Sequence, residues 1–205
     1  MRKLSLMILM LAFLALITAC ASSYKTIGPN RLSFNSPDSQ AGIDFSYKYD
    51  VLREAGNKKY AKKESKKGVR LIAVKITNNS DSVLNIGSDI DFYAGEKHVF
   101  PMDPVDIKNS IKQIVPGYLP YLLLTFVNLT VYDGNTVDVI PIGLVLGPGI
   151  TAGNMIVAGT ANTKLQYELE ENNIMNKEVE PGETVYGIIG IRNTGYDPVT
   201  IKIIK

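Results

Sequence analysis

The sequence predicts a mainly β fold: a sandwich of two sheets with about seven short strands, interrupted by an apolar, partly helical segment. Two observations predict the sandwich. Short stretches that alternate apolar and polar residues recur along the chain, and turn-forming Asn, Asp, Gly and Pro separate them. A third observation predicts the insertion, because long apolar runs within residues 101–176 lie between the two groups of strands.

The first group of strands precedes the insertion. In residues 42–52, Ile43, Phe45 and Tyr47 alternate with polar residues, the period-two pattern of a half-buried strand. Residues 69–77 give the strongest strand of the chain, and turn-forming Asn and Ser follow it. Further short strands are predicted at residues 31–34, 83–86, 89–93 and 97–100.

The second group follows the insertion. Residues 183–192 and 199–204 are rich in Val and Ile, and we expect them to pair as a hairpin across residues 193–198. In the first of these strands, Ile188 and Gly190 face one way, while Ile189 and Ile191 face the other.

Residues 1–19 have the composition of a secretory signal. Arg2 and Lys3 precede a short apolar run that is too short to be a comfortable membrane span. The run ends in Leu-Ile-Thr-Ala-Cys, which resembles a bacterial lipobox. This resemblance implies that the chain is cut before Cys20 and that the Cys20 thiol is diacylated. An ordinary signal peptide followed by a chance cysteine is the alternative.

The residues after Cys20 bear on localisation and domain bounds. Ala21-Ser22-Ser23 lacks the Asp that marks inner-membrane retention in enteric bacteria, which predicts a lipid-anchored protein of the outer membrane. The predicted organisation is a signal peptide at 1–19, a lipidated tether at 20–39, and a sandwich domain at 40–205 with the insertion at about 101–176.

Composition excludes several classes of protein. The 22 basic and 20 acidic residues nearly balance, so the large basic excess of a nucleic-acid binder is absent. The single cysteine rules out an intrachain disulfide framework, so an exported domain of this length must depend on its hydrophobic core.

Two segments resemble a known kind of domain. "VKITNNSDSVLNI" (residues 74–86) and "VEPGETVYGIIGI" (residues 179–191) are similar to immunoglobulin-like domains of unknown function in bacterial lipoproteins. The resemblance implies an immunoglobulin-like sandwich used for interaction, with glycines that allow close packing, and it implies no catalytic residue.

Residues 57–68 are strongly basic and include Lys58, Lys59, Lys62 and Lys63. One interpretation is a patch that touches anionic phospholipid or lipopolysaccharide. The other, which we favour, is a solvated hairpin loop whose charges keep the protein soluble.

The sequence of the insertion predicts two helices, and it does not decide whether the apolar runs are strands or helices. Asp103 caps a helix over residues 103–112 with Pro104 at its first position. Asp133-Gly134 is a hairpin signal between the runs at 118–132 and 137–158, which could be strands or hydrophobic helices. An amphipathic helix is expected from about Ile150 to Asn172.

Small residues in the second run suggest close packing. Gly143 and Gly147, like Gly149 and Gly153, are four residues apart, which lets a neighbouring backbone approach a helix. Part of this apolar surface is expected to contact the membrane interface or a partner, and complete burial is the alternative. A membrane span is disfavoured because Gly-Pro-Gly interrupts the run. The candidate contact residues are Leu144, Leu146, Ile150 and Ile156.

The sequence marks no catalytic, cofactor or metal site. His98 is the only histidine, so common zinc sites are disfavoured. Asp89 and Asp91 could share a strand face and bind calcium, but a solvated sheet face is the favoured interpretation. Ser82 lies in Asp-Ser-Val, which resembles an O-glycosylation acceptor of exported Bacteroidetes proteins, and a simple turn residue is the alternative.

We therefore expect a non-catalytic lipoprotein that acts as an envelope binding or scaffold subunit. Its partners would be the membrane, through acyl chains on Cys20, and an envelope protein, with no nucleic acid. The alternative is a carrier of a lipid or other apolar ligand. A calcium-dependent or hydrolytic enzyme built on Asp89 and Asp91 is the least favoured hypothesis.

Overall fold

The computed structural model describes residues 20–34, 38–134 and 136–204, and the predicted signal peptide lies outside them. The chain forms two compact units. The apolar unit contains residues 20–23 and Gln113–Ala161, and the sheet unit contains Tyr24–Lys112 and Asn162–Lys205.

Helices and antiparallel strands are both abundant, and about 39% of the described residues are helical. The helices are α1 (Val51–Glu54), α2 (Lys58–Lys67), α3 (Ile86–Asp89), α4 (Pro104–Ile111) and α5 (Gly143–Glu171), with 3-10 helices η1 (Pro29–Arg31) and η2 (Val115–Phe126). The strands are β1 (Asp38–Gln40), β2 (Ile43–Lys48), β3 (Val69–Asn78), β4 (Leu84–Asn85), β5 (Ile90–Ala94), β6 (Lys97–Val99), β7 (Leu129–Asp133), β8 (Thr136–Ile140), β9 (Glu178–Val179), β10 (Thr184–Arg192) and β11 (Val199–Ile203). The fold is thus mixed rather than mainly β.

Two antiparallel sheets of the sheet unit share one hydrophobic core. One sheet has the strand order β1-β2-β3-β10 and the other has the order β11-β5-β6. Phe45 of the first sheet meets Phe92 of the second edge-to-face, with ring centroids 6.2 Å apart. Apolar side chains from both sheets, including Ile72, Ile189 and Ile201, complete this core.

The strand predicted at residues 69–77 is confirmed as β3, and the strand at 183–192 is confirmed as β10. These two strands pair in one unbroken antiparallel register from Thr184 opposite Thr77 to Arg192 opposite Val69. The predicted hairpin between β10 and β11 is wrong. β11 pairs instead with β5 in the other sheet, so residues 193–198 carry the chain from one sheet to the other.

Two further local predictions are wrong. The strand expected at 31–34 is absent from the described residues there, since the 3-10 helix Pro29–Arg31 takes part of its place. The basic segment is not a hairpin loop but helix α2, which buries Tyr60, Ala61 and Glu64 on one side. Those three residues recur at helical spacing, so the lysines occupy the remaining faces.

The helix predicted after Asp103 is confirmed. The Asp103 carboxylate accepts a hydrogen bond from the Val105 backbone N–H at 2.8 Å, and Pro104 is the first helical residue. Ile107 and Ile111 of this helix are buried. Gly190 of β10 permits close packing here, because an added Cβ would lie 2.5 Å from Ile107 Cδ1.

The apolar runs of the insertion are partly helical and partly extended. η2 and α5 are helical, while β7 and β8 form the hairpin predicted at Asp133-Gly134, with Asp133 opposite Thr136. α5 begins at Gly143, earlier than the predicted start near Ile150, and continues through Pro148. Its end at Glu171 agrees with the prediction.

The Gly143 and Gly147 pair has the predicted role within the apolar unit. An added Cβ on Gly143 would lie 2.6 Å from the Val127 carbonyl oxygen, and one on Gly147 would lie 2.6 Å from the Thr125 backbone nitrogen. The segment before the hairpin therefore packs directly on the α5 backbone. Among the described residues, Gly149 and Gly153 have no such neighbour within 4 Å.

Candidate binding surfaces

Exposed apolar side chains are concentrated in the apolar unit. It supplies 17 of the 23 large hydrophobic residues that are exposed among the described residues. The most exposed of them are Phe126 (80%), Val145 (76%), Tyr132 (75%) and Leu123 (70%). This concentration of exposed apolar side chains makes the unit a candidate contact surface.

Charge is almost absent from the same unit. Within Gln113–Ala161 the charged residues are Asp133 and Asp138, and both lie on the β7–β8 hairpin. Every described residue of these two strands is exposed. The hairpin therefore offers Val and Leu side chains to its surroundings rather than to a core.

The exposed face of α5 changes character along the helix. Between residues 144 and 157 the nine exposed residues have no polar side-chain atom; they are Leu144, Val145, Leu146, Pro148, Gly149, Ala152, Gly153, Ile156 and Val157. Beyond Ala161 the exposed residues of the same helix include Lys164, Glu170 and Glu171. The two halves of one helix thus suit different surroundings.

The predicted contact residues are mostly exposed as expected. Leu144, Leu146 and Ile156 are exposed. Ile150 is only partly exposed, because it packs with Tyr118, Tyr121 and Ala158 in a small core of the apolar unit.

Cys20 belongs to the apolar unit and is exposed. The residue after it is held in place, since the Ala21 backbone N–H donates to Asn154 Oδ1 of α5 at 2.5 Å. The Gln113 side chain makes two hydrogen bonds to Ser22: it accepts from the Ser22 N–H at 3.1 Å and donates to the Ser22 carbonyl oxygen at 2.7 Å.

Cys20 also lies near a tyrosine pair of this unit. Burial raises the pKa of the Tyr118 phenol, and the neighbouring Tyr121 and Cys20 add to the rise. The predicted lipidation residue therefore belongs to the unit that carries the exposed apolar surface.

One helix of the described residues is long and apolar enough to cross a membrane. It is Gly143–Glu171, and 28% of its most apolar 18-residue stretch is buried. Length and composition alone are weak evidence, because core helices of soluble proteins meet the same criteria.

The basic face of α2 is the second predicted surface. Lys58 and Lys62 are exposed, and Lys59 and Lys63 are half-buried. Lys63 donates to the Lys112 carbonyl oxygen. Partial burial lowers the pKa of the Lys63 amine, and Lys67, Lys59 and Lys112 lower it further. The helix presents a dense positive surface, and Lys58 and Lys62 line an open cleft on it together with Arg53.

The outward face of the β11-β5-β6 sheet is a third surface, which the sequence did not suggest. The Tyr93 and His98 rings lie 5.1 Å apart, and the His98 and Phe100 rings lie 4.4 Å apart. Lys202 Nζ lies 4.2 Å from the Tyr93 ring centroid, and His98 Nε2 lies 3.1 Å from Asp91 Oδ1. Aromatic side chains with a cation beside them are common anchors in protein interfaces. The signal available in the sequence was the period-two spacing of His98 and Phe100.

Asp89 and Asp91 do not form one site. Asp89 ends helix α3, where its carboxylate accepts from Asn85 N–H at 3.0 Å and from Ser88 Oγ at 2.8 Å. Asp91 lies on β5 and faces His98. In the described part of the chain, no group of three or more His, Cys, Asp and Glu side chains could hold a metal ion.

Ser82 is exposed in the turn after β3. Its carbonyl oxygen accepts from Asn78 Nδ2 at 2.8 Å and from Ser80 Oγ at 3.1 Å. The turn is therefore well ordered, and glycosylation of Ser82 stays a prediction.

The chain matches no known protein family, no curated protein and no solved structure.

Proposed function

We propose that this chain is a non-catalytic lipoprotein, anchored to the outer membrane through acyl chains on Cys20, that binds and positions another envelope component. The observation that carries the proposal is the concentration of exposed apolar residues in the unit that also holds Cys20. Acyl chains attached there would extend from the least polar part of the molecule.

The sheet unit supplies the part of the proposed scaffold that lies in water. We infer that it is an immunoglobulin-like sandwich, which the seven strands in two sheets around one core support. Such sandwiches serve as interaction modules by presenting the outward faces of their sheets. The face that carries Tyr93, His98 and Phe100 is our candidate for the partner-binding surface.

A scaffold role also fits the way ionisable groups are used. His98 pairs with Asp91, and buried Glu168 accepts three hydrogen bonds from its own chain. Each of these groups is therefore already engaged by partners within the chain.

The alternative function, carriage of an apolar ligand, has less support. A cleft of about 730 Å³ opens beside Tyr24 and Tyr167, but charged residues line much of it: Arg31, Lys164, Glu168, Glu171 and Lys177. An apolar ligand would leave those charges without compensation.

Mild detergent extraction of the full chain from membranes, followed by native electrophoresis, tests the scaffold function. We expect the wild-type protein to migrate in a complex larger than one chain and the double variant Tyr93→Ala/Phe100→Asp to lose that complex. Val83→Asp, at another exposed apolar position of the sheet unit, should keep it. A wild-type protein that migrates as a single chain would contradict the proposal.

A further inference from the structure

We propose that the apolar unit itself lies in the membrane interface, with the exposed face of residues 144–157 and the exposed side chains of η2 in contact with lipid acyl chains. The inference deepens the proposed function and rests on it for the position of the anchor. It adds that the folded chain binds lipid directly, beside Cys20.

The composition of the exposed face favours lipid over a protein partner. Protein interfaces carry a polar rim and about one hydrogen bond per 100–200 Å² of buried surface. The nine exposed residues between Leu144 and Val157 have no side-chain donor, acceptor or charge with which to make one. Lipid acyl chains, in contrast, need no hydrogen-bond partner from the surface that they contact.

The position of Cys20 gives the second argument. Cys20 lies in this unit, and the Ala21 N–H is bonded to Asn154 on α5. Acyl chains on the Cys20 thiol would therefore enter the bilayer within a few residues' length of the exposed face. Each buried methylene adds about 0.8 kcal/mol, so apolar side chains that enter beside the acyl chains add to the membrane affinity.

The backbone geometry limits how deep the unit lies. Within the described part of the chain, the β7–β8 pair is a two-stranded sheet with two open edges, whose unpaired N–H and C=O groups would be costly in hydrocarbon. Pro148 also removes one backbone donor from α5. An interfacial position, with side chains buried about 5–10 Å into the headgroup and acyl boundary, keeps those groups near water. Asp133 at the hairpin turn and Asp138 then stay in the aqueous layer, and Tyr132 suits the headgroup level.

Tryptophan fluorescence tests this arrangement, because the chain has no natural Trp. Single variants Phe126→Trp and Ile156→Trp place the reporter at positions 80% and 68% exposed in the apolar unit. Phe100→Trp is the matched control, at a 74% exposed position of the sheet unit. Each full-length protein is extracted from membranes and reconstituted into phosphatidylcholine–phosphatidylglycerol vesicles, with or without phosphatidylcholine brominated on its acyl chains.

We expect Phe126→Trp and Ile156→Trp to emit at short wavelength and to be quenched several-fold more strongly by brominated lipid than Phe100→Trp. Circular dichroism of each variant confirms that it is folded, and two reporters guard against one failing to fold. Water-like emission from both reporters would overturn the inference. Short-wavelength emission without quenching would also overturn it, since a second copy or a protein partner would then cover the face. The inference would likewise be overturned if brominated lipid quenched Phe100→Trp as strongly as it quenches the two reporters in the apolar unit.

The same samples separate this inference from the proposed anchor. Intact mass spectrometry reports whether acyl chains are present on Cys20. Quenching without acylation would refute the anchor and keep the lipid contact, whereas acylation without quenching would do the reverse.

Discussion

The Tyr24 hydroxyl donates a hydrogen bond to the Glu168 carboxylate at 2.5 Å, and both side chains are buried. The other oxygen of Glu168 accepts from the backbone N–H groups of Ile27 and Gly28 at 2.7 and 2.9 Å. One carboxylate on α5 therefore satisfies three donors of the segment that follows Cys20. That segment is part of the predicted tether, and from Tyr24 onward it is packed within the sheet unit.

Glu168→Ala should destabilise the sheet unit, because it leaves three buried donors without a partner. Each unsatisfied buried group costs about 1–3 kcal/mol, so a loss of about 3 kcal/mol or more in the free energy of unfolding is expected. Urea unfolding followed by circular dichroism measures it. Glu168→Gln, which keeps an acceptor oxygen, should lose clearly less. An alanine variant as stable as the wild type would refute the structural role of this carboxylate.

Glu64 should make stability fall as pH rises toward neutrality. Burial raises the pKa of its carboxyl from the ordinary 4.5 to about 7, while the Leu71 N–H and Arg70 act in the opposite direction. Between these values the folded chain holds a proton that the unfolded chain has released, so the free energy of unfolding falls by up to about 3 kcal/mol and becomes level about one unit above the folded pKa.

The neutral variant Glu64→Gln tests this pH dependence by urea unfolding between pH 4 and pH 8. Gln keeps an acceptor for the Leu71 N–H, which lies 2.7 Å from Glu64 Oε1. The variant should lack the fall and be more stable than the wild type at pH 8. Glu54→Gln, at an exposed position, should retain the wild-type profile. Parallel profiles for wild type and Glu64→Gln would contradict the assignment.

Gly147→Ala and Gly153→Ala should change stability in opposite directions, although both lie in α5. A methyl group on Gly147 would meet the Thr125 backbone, so we expect a loss of about 1–3 kcal/mol. No described atom lies within 4 Å of a methyl group at Gly153, so alanine there should stabilise the helix by about 0.5–1 kcal/mol. Thermal unfolding of the two variants and the wild type, all in one detergent, measures both effects. Equal effects would show that the preceding segment does not pack on the helix at Gly147.

Asp103→Ala should remove the N-cap of α4. Loss of its bond to the Val105 N–H should cost about 0.5–2 kcal/mol of stability, as measured by urea unfolding. Asp103→Asn keeps a capping oxygen and should stay within a few tenths of a kcal/mol of the wild type. An asparagine variant as unstable as the alanine variant would indicate that charge, and not capping, matters at this position.

Strands that combine alternation or continuous apolar character with flanking turns could be predicted from the sequence. The strands β3 and β10 were predicted correctly, because burial in the core dictates their residue types. Their partners could not all be predicted. The turn at 193–198 is stabilised locally by the Asn193 side chain, which bonds Gly195 and Asp197, and such a turn does not specify that the two strands pair.

The helix α2 was missed because lysines hide its periodicity. Only Tyr60, Ala61 and Glu64 are buried, and a buried glutamate does not count as apolar in a search for an amphipathic pattern. The aromatic face around His98 was missed for a different reason. It joins β5, β6 and β11, and only their pairing register brings Tyr93 opposite both His98 and Thr200. The exposed apolar helix face, in contrast, was anticipated from the uncharged run around Gly143–Gly147.

Attachment through Cys20 is the claim on which the account depends most, and the mass of the mature protein tests it directly. For full-length protein purified from membranes, we expect a chain that begins at Cys20 and carries a diacylglyceryl group, with globomycin blocking its processing. Cys20→Ser should stay unprocessed. A wild-type chain cut elsewhere or bearing an unmodified Cys20 thiol, together with a Cys20→Ser variant that matures and is released normally, would contradict it.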